Sequence, residues 1–242
     1  MDSSSQFSRT PALSQTTFPL TINGVDIDTV VQGQAINPAT GEHLANHALA
    51  DLALAEKAVE AARRAFDGWC VTAAAERRAM LLKLGDLIST RREAFIELLI
   101  AEQGKPRAGA EWEIDGSVHW LREIAEQALQ SGGDTAEETI TEPLIVRRVP
   151  LGVVAAITPW NFPLLLAIWK IAPALASGNT VIVKPSPFTP LCTLWFGELA
   201  QSVLPPGVLN VIAGGNELGQ FLVEHEGVDK IEFTGSTETA GK

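Results

Sequence analysis

Beyond Pro143 the sequence alternates short apolar runs with stretches of helical spacing, and this alternation restricts the fold more than any other feature. Apolar runs at 152–157, 180–184, 208–212 and 230–233 read as strands, with a further strand at 144–149 before them. Helical stretches of about 9 to 15 residues fill the three gaps between the four later runs. Neighbouring parallel strands cannot be joined by a tight turn and need a crossover. The pattern therefore predicts an α/β fold, a Rossmann-like parallel sheet with right-handed crossovers. The runs are uniformly apolar rather than alternating, as expected when helices cover both faces of a sheet. The terminal GSTETAGK is expected to open another helix.

The first half reads differently. Residues 21–50 carry Asn-Gly and Asn-Pro turn signals between short strands. Helical periodicity begins at Asp51, a candidate N-cap, with Leu54, Ala55, Ala58, Val59, Ala62 and Phe66 on one face. A second helical pattern runs over about 75–103, broken near Ser89 and Thr90 and stopped at Gly104-Lys105-Pro106. A third covers about 107–130. These N-terminal helices are amphipathic and show no evident chemistry of their own.

Charge and composition exclude several functions. Lys plus Arg number 18 and Asp plus Glu 29, a formal charge of −11. Nucleic-acid binding, which needs basic clusters, is not expected. The two cysteines, Cys70 and Cys192, stand far apart without a CxxC. The histidines His43, His47, His119 and His225 form no ligand pattern, so neither a disulfide framework nor a metal site is expected. Leu151–Trp169 is uncharged, but Pro159, Asn161 and Pro163 interrupt it, so a strand, a turn and a buried helix are expected rather than a membrane span. Residues 1–20 lack the apolar core of a secretory signal and read as a flexible tail. A cytoplasmic location is expected.

In open α/β sheets ligands bind beyond the carboxyl ends of the strands. Here those ends run into TPWNFP at 158–163, Lys184-Pro185-Ser186, the glycine-rich 213–219 and Thr234-Gly235-Ser236-Thr237. Glycines permit close backbone approach and helix N-termini favour phosphate, so this rim suits a nucleotide. Two common fingerprints fail. Gly215 and Gly219 give only GxxxG, and Gly235 stands one residue too far from Gly241-Lys242 for a Walker A loop. No GxSxG elbow occurs.

Taken together, TPWNFP, WKIAPALASGNTVIVKPS, PPGVLNVIAGG and IEFTGST resemble the NAD(P)-dependent aldehyde dehydrogenase family, over about residues 35–242. The resemblance implies a cofactor-binding domain over 21–242 and part of an oligomerisation hairpin, one strand near 140–150. The general-base glutamate and nucleophilic cysteine of the family would follow beyond Lys242. The implied reaction is oxidation of a small-molecule aldehyde to an acid through a cysteine thiohemiacetal, with NAD or NADP as the cofactor and a homo-oligomer when complete. A second reading is an inactive, truncated NAD(P)-binding or interaction module.

The resemblance also assigns roles. Asn161 matches the asparagine whose amide stabilises the oxyanion; from the residues alone it reads as an N-cap before Phe162-Pro163. Thr158, Pro159 and Trp160 match the segment beside the nicotinamide ribose. Lys184 matches a lysine bonding the adenosine ribose. Pro187 stands where many NAD-preferring relatives place a glutamate, which leaves NADP open. Ser236 and Gly235 match the pyrophosphate contact, and Gly215, Gly219, Phe233 and Thr239 match positions around the adenine and phosphates. Lys170 matches a lysine proposed to assist proton relay. Cys192 lies near an expected helix start, which can lower a thiol pKa, but it matches no family nucleophile. Both cysteines are read as structural.

Overall fold

The computed structural model describes residues 17–130, 135–138 and 143–240. Five short strands come first: β1 (Thr17–Phe18), β2 (Leu20–Ile22), β3 (Val25–Ile27), β4 (Gln32–Ile36) and β5 (His43–Ala48). Four helices follow: α1 (Leu52–Trp69), α2 (Ala74–Thr90), α3 (Arg92–Gln103) and α4 (Arg107–Gln130). An antiparallel pair, β6 (Thr135–Glu138) and β7 (Pro143–Val146), leads into the alternating region. That region runs β8 (Val153–Ile157), α5 (Pro163–Ala176), β9 (Thr180–Lys184), α6 (Leu191–Ala200), β10 (Leu209–Val211), α7 (Asn216–Glu224), β11 (Lys230–Phe233) and α8 (Thr237–Ala240).

The main sheet has six strands in the order β11-β8-β9-β10-β2-β3. The first four are mutually parallel, as the alternation predicts. β2 joins antiparallel to β10 and β3 antiparallel to β2. A separate three-stranded sheet has the order β1-β5-β4.

Both faces of the parallel strands are covered. Val153, Ala155 and Ile182 point to one side, where they pack with Ala55, Ala58, Val59 and Ala62 of α1 and Leu218 and Leu222 of α7. Val154, Ala156, Val181 and Val183 point to the other side, against a larger core contributed by α5 and α6 and, beyond them, by α2, α3 and α4. The period-2 pleat thus splits each apolar run between two cores.

Local signals explain the helix ends. Asp51 accepts from the Leu54 amide at 2.8 Å and caps α1. Gly104 ends α3 in the left-handed region, φ 79°, which glycine enters without a Cβ clash. Substituting Asp51 with alanine leaves that amide unserved; an expected loss of about 1 kcal/mol in urea unfolding checks the cap.

Four expectations need correction. The strand over 144–149 is shorter: β7 ends at Val146, because it pairs only with the four residues of β6. Both strands of that pair lie within the chain, where one was expected. Residues 17–20 are not part of a tail, since Phe18 and Leu20 are buried in strands; residues 1–16 fall outside the described residues. β11 is not buried on both faces like β8 and β9. It lies at the sheet edge, and its residues are exposed or half-buried. Among the described residues no helix is long and apolar enough to cross a membrane.

Candidate functional site at the carboxyl ends of the parallel strands

The strand ends converge as the topology requires. The Thr158 amide donates to the Lys184 carbonyl and the Thr234 amide to the Ile157 carbonyl, each at 3.1 Å. These bonds carry the ladder past β8 and set Thr158 and Thr234 beside Lys184 and Ile157 at one rim. Lys170, from α5, reaches the same rim and donates from Nζ to Thr234 Oγ1 at 2.7 Å. Burial pulls the Lys170 ammonium below its ordinary pKa, while Glu232 on β11 opposes that shift.

Two poorly solvated polar side chains stand at this rim, and among the described residues no hydrogen bond is made by either. Lys184 is only 5% exposed. Burial brings its pKa down to about 8, and no carboxylate counters the shift. Thr158 is 4% exposed, and its Oγ1 has no hydrogen-bond partner among the described residues. Buried polar atoms are nearly always satisfied, so the Thr158 hydroxyl calls for a ligand or a further segment, and the Lys184 ammonium beside it is a donor for the same group. Glycines stand beside this rim. A Cβ on Gly219 would lie 3.6 Å from Lys184 Cε, and Gly215, the N-cap of α7, faces open space. A nucleotide ribose and phosphates fit this donor set: a lone ammonium, a free hydroxyl, a helix N-terminus and room for backbone approach.

The other expected contacts are distributed around the rim. Trp160 and Pro187 are exposed and line, with Phe188, Thr189 and Glu102, a cleft of about 440 Å³. Thr189 Oγ1 donates to the Trp160 carbonyl at 3.3 Å, tying the two segments together. Pro159 is half-buried beside Thr158, and Phe233 half-buried at the end of β11. A Cβ on Gly235 would come within 2.4 Å of the Phe233 ring, so that ring packs directly over the turn. Ser236 Oγ accepts from the Thr239 amide at 3.2 Å and lies 2.9 Å from Thr239 Oγ1. The serine is thus occupied as a local cap of α8.

Asn161 does not cap α5. Pro163 is the first residue of the helix, Phe162 is the N-cap, and no capping residue bonds the first turn with its side chain. The first-turn amides go to Glu113 of α4, whose Oε1 accepts from Leu164 at 3.0 Å and Leu165 at 3.2 Å. The exposed side chain of Asn161 is left available for other chemistry. A second acid does the same for α6: Glu102 accepts from the amides of Leu191 and Cys192.

Neither acid was singled out by the sequence reading, although each carries a readable signal. Glu102 follows Phe95, Ile96 and Leu99 on the buried face of α3, and Glu113 sits with Ala110, Ile114 and Ser117 on that of α4. An acid at helical spacing within an apolar stripe must find donors when it is buried.

Cys192 is fully buried at the start of α6. Burial, followed by the neighbouring Glu102 carboxylate, pushes its thiol well up. The helix-start effect that could lower it is overridden, and a structural role follows. No cluster of metal-ligating side chains occurs among the described residues.

Comparison with known proteins agrees with this geometry. The family model described as "Aldehyde dehydrogenase family" matches residues 28–242. The protein described as aldehyde dehydrogenase LUC3 from a Fusarium species is 47% identical over 184 residues, which cover 76% of this chain and 38% of that protein. A solved indole-3-acetaldehyde dehydrogenase in apo form superposes with a TM-score of 0.90 at 36% identity, over 96% of this chain and 56% of that one. The NAD+ complex of an aldehyde dehydrogenase from Bacillus cereus gives 0.89 at 33%, over 93% and 48%. The chain spans about half the length of these solved relatives. A family match over nearly the whole chain and a shared fold establish that this chain belongs to the aldehyde dehydrogenase family.

Proposed function

We propose that this chain is the NAD(P)-binding half of an enzyme that oxidises an aldehyde to a carboxylic acid. The observation that carries the reading is Lys184, buried at the rim of a parallel sheet with no anionic partner and with glycines beside it. In this reading Lys184 donates to the ribose hydroxyls, Gly219 and Gly215 admit the adenosine and phosphates, and Thr158 with Pro159 and Trp160 flanks the nicotinamide ribose. When bound, the nicotinamide supplies the hydride acceptor. Asn161 contributes an amide donor to the oxygen on which negative charge develops. Lys170 holds the Thr234 hydroxyl and is the candidate for moving a proton. The thiol nucleophile and the hydrolytic base are assigned to the part of the family length outside these residues, because Cys192 is buried with a raised pKa.

Pro187 bears on cofactor choice. It is exposed and offers neither a carboxylate to accept ribose hydroxyls nor a charge to repel a 2′-phosphate. Calorimetric titration of the chain is expected to show binding of both NAD and NADP. A Pro187→Glu variant is expected to weaken NADP about tenfold, by like-charge repulsion, with little effect on NAD. Failure of the unsubstituted chain to bind either dinucleotide would overturn the cofactor reading.

A further inference from the structure

We propose that Lys105 and Glu113 are positioning residues that fix the backbone of the Asn161 turn; this rests on the reading of Asn161 as the oxyanion donor. Glu113 is fully buried in the apolar face of α4. A buried carboxylate is tolerated only when its lone pairs are satisfied. Its donors are the Lys105 ammonium and the amides of Leu164 and Leu165. The first turn of α5 is then fully accounted for. Pro163 has no N–H, Leu164 and Leu165 donate to Glu113, and Leu166 donates to the Phe162 carbonyl at 3.0 Å.

Lys105 grips the other side of the turn. Its Nζ donates to the Asn161 carbonyl at 2.9 Å and sits 4.1 Å from the centre of the Phe162 ring. Its side chain is only 10% exposed, so these contacts form in a poorly solvated setting. One ammonium therefore joins the Asn161 carbonyl to the carboxylate that caps α5. The two groups hold the peptide after Asn161 and the amides that follow it. The approach of Lys105 is set by the left-handed Gly104, which ends α3 one residue earlier. No hydrogen bond within the described residues ties down the Asn161 side chain. Its direction is governed by the backbone that this pair fixes.

The chain itself gives the first test, through the Asn161 side-chain amide signals and the exchange rates of the Leu164 and Leu165 amides by NMR. In Glu113→Gln, exchange at both amides is expected to speed up at least about tenfold. In Lys105→Met, which keeps the Glu113 carboxyl as acceptor for the Leu164 and Leu165 amides but removes its ammonium partner, the Asn161 signals are expected to shift, and Lys105→Arg is expected to restore them in part. Unchanged signals and protection in both Glu113→Gln and Lys105→Met would overturn the proposal without any assay of activity. In a dehydrogenase of full family length, Lys105→Met is expected to lower kcat about tenfold with the cofactor KM held within about twofold. In an Asn161→Ala background the same substitution is expected to lower kcat no further. An equal loss in both backgrounds would show that Lys105 does not act through Asn161. Altered turn signals alongside an enzyme that oxidises no aldehyde would instead count against the proposed function and leave the positioning of the turn intact.

Discussion

Asn161→Ala, made in a dehydrogenase of full family length, is expected to lower kcat by about 10²–10³-fold, the usual cost of removing one oxyanion donor. The same change is expected to leave stability within about 0.5 kcal/mol, as for exposed positions away from structural features. The two readouts separate because α5 does not depend on this side chain. Its first-turn amides are served by Glu113 and by the Phe162 carbonyl. Had Asn161 been the N-cap, alanine would have cost about 1 kcal/mol. Steady-state kinetics and urea unfolding on the same variant distinguish these cases. A stable variant with unchanged kcat would remove Asn161 from the chemistry.

The second large effect concerns Glu102 and pH. Its carboxyl is 2% exposed, and burial pushes its pKa up to about 7 from an ordinary value of 4.5, against the opposing pull of the Leu191 and Cys192 amides. A carboxyl with a raised pKa binds its proton more tightly in the folded state. Stability is therefore full below about pH 4.5 and declines as pH rises through 7, by up to about 3 kcal/mol at 1.36 kcal/mol per pKa unit. Glu102→Gln cannot titrate, so its unfolding free energy is expected to lack this decline. Urea unfolding of both proteins at pH 5 and pH 8 isolates the contribution by difference. Identical pH dependence in the two would mean that Glu102 is already ionised at pH 5, with its amide donors outweighing burial.

Much of the sheet was legible because its strands announce themselves locally. β9 and β11 lie at the expected residues, and α4 covers the span that periodicity gave it. The break in the second helical pattern falls at Arg91, one residue beyond the expected Ser89 and Thr90. The strands at the far edge were not legible as part of that sheet. β2 and β3 have three residues each, too few to show a period, and their place depends on β10. The site divides in the same way. Lys184, Thr158 and Thr234 were recognisable because they end or directly follow strands, and strand ends meet by topology. Glu102 and Glu113 went unread as caps because their donors lie 89 and 51 residues away. The N-cap expected at Asn161 failed for a local reason: Pro163 opens the helix, which makes Phe162 the cap.

The antiparallel seam between β2 and β10 also bears on how the chain is made. Thr21 pairs with Val211, which is 211 − 21 = 190 residues later. At ribosomal speeds of roughly 5–20 residues per second, β2 waits about 10–40 s before its partner has been synthesised. During that interval β2 can pair with β3 but not with β10, so one edge of the strand that carries Leu20 and Ile22 stays open. The β2–β10 seam of the sheet therefore closes only after residue 211 has emerged, which makes it a late contact relative to the local β2–β3 pairing.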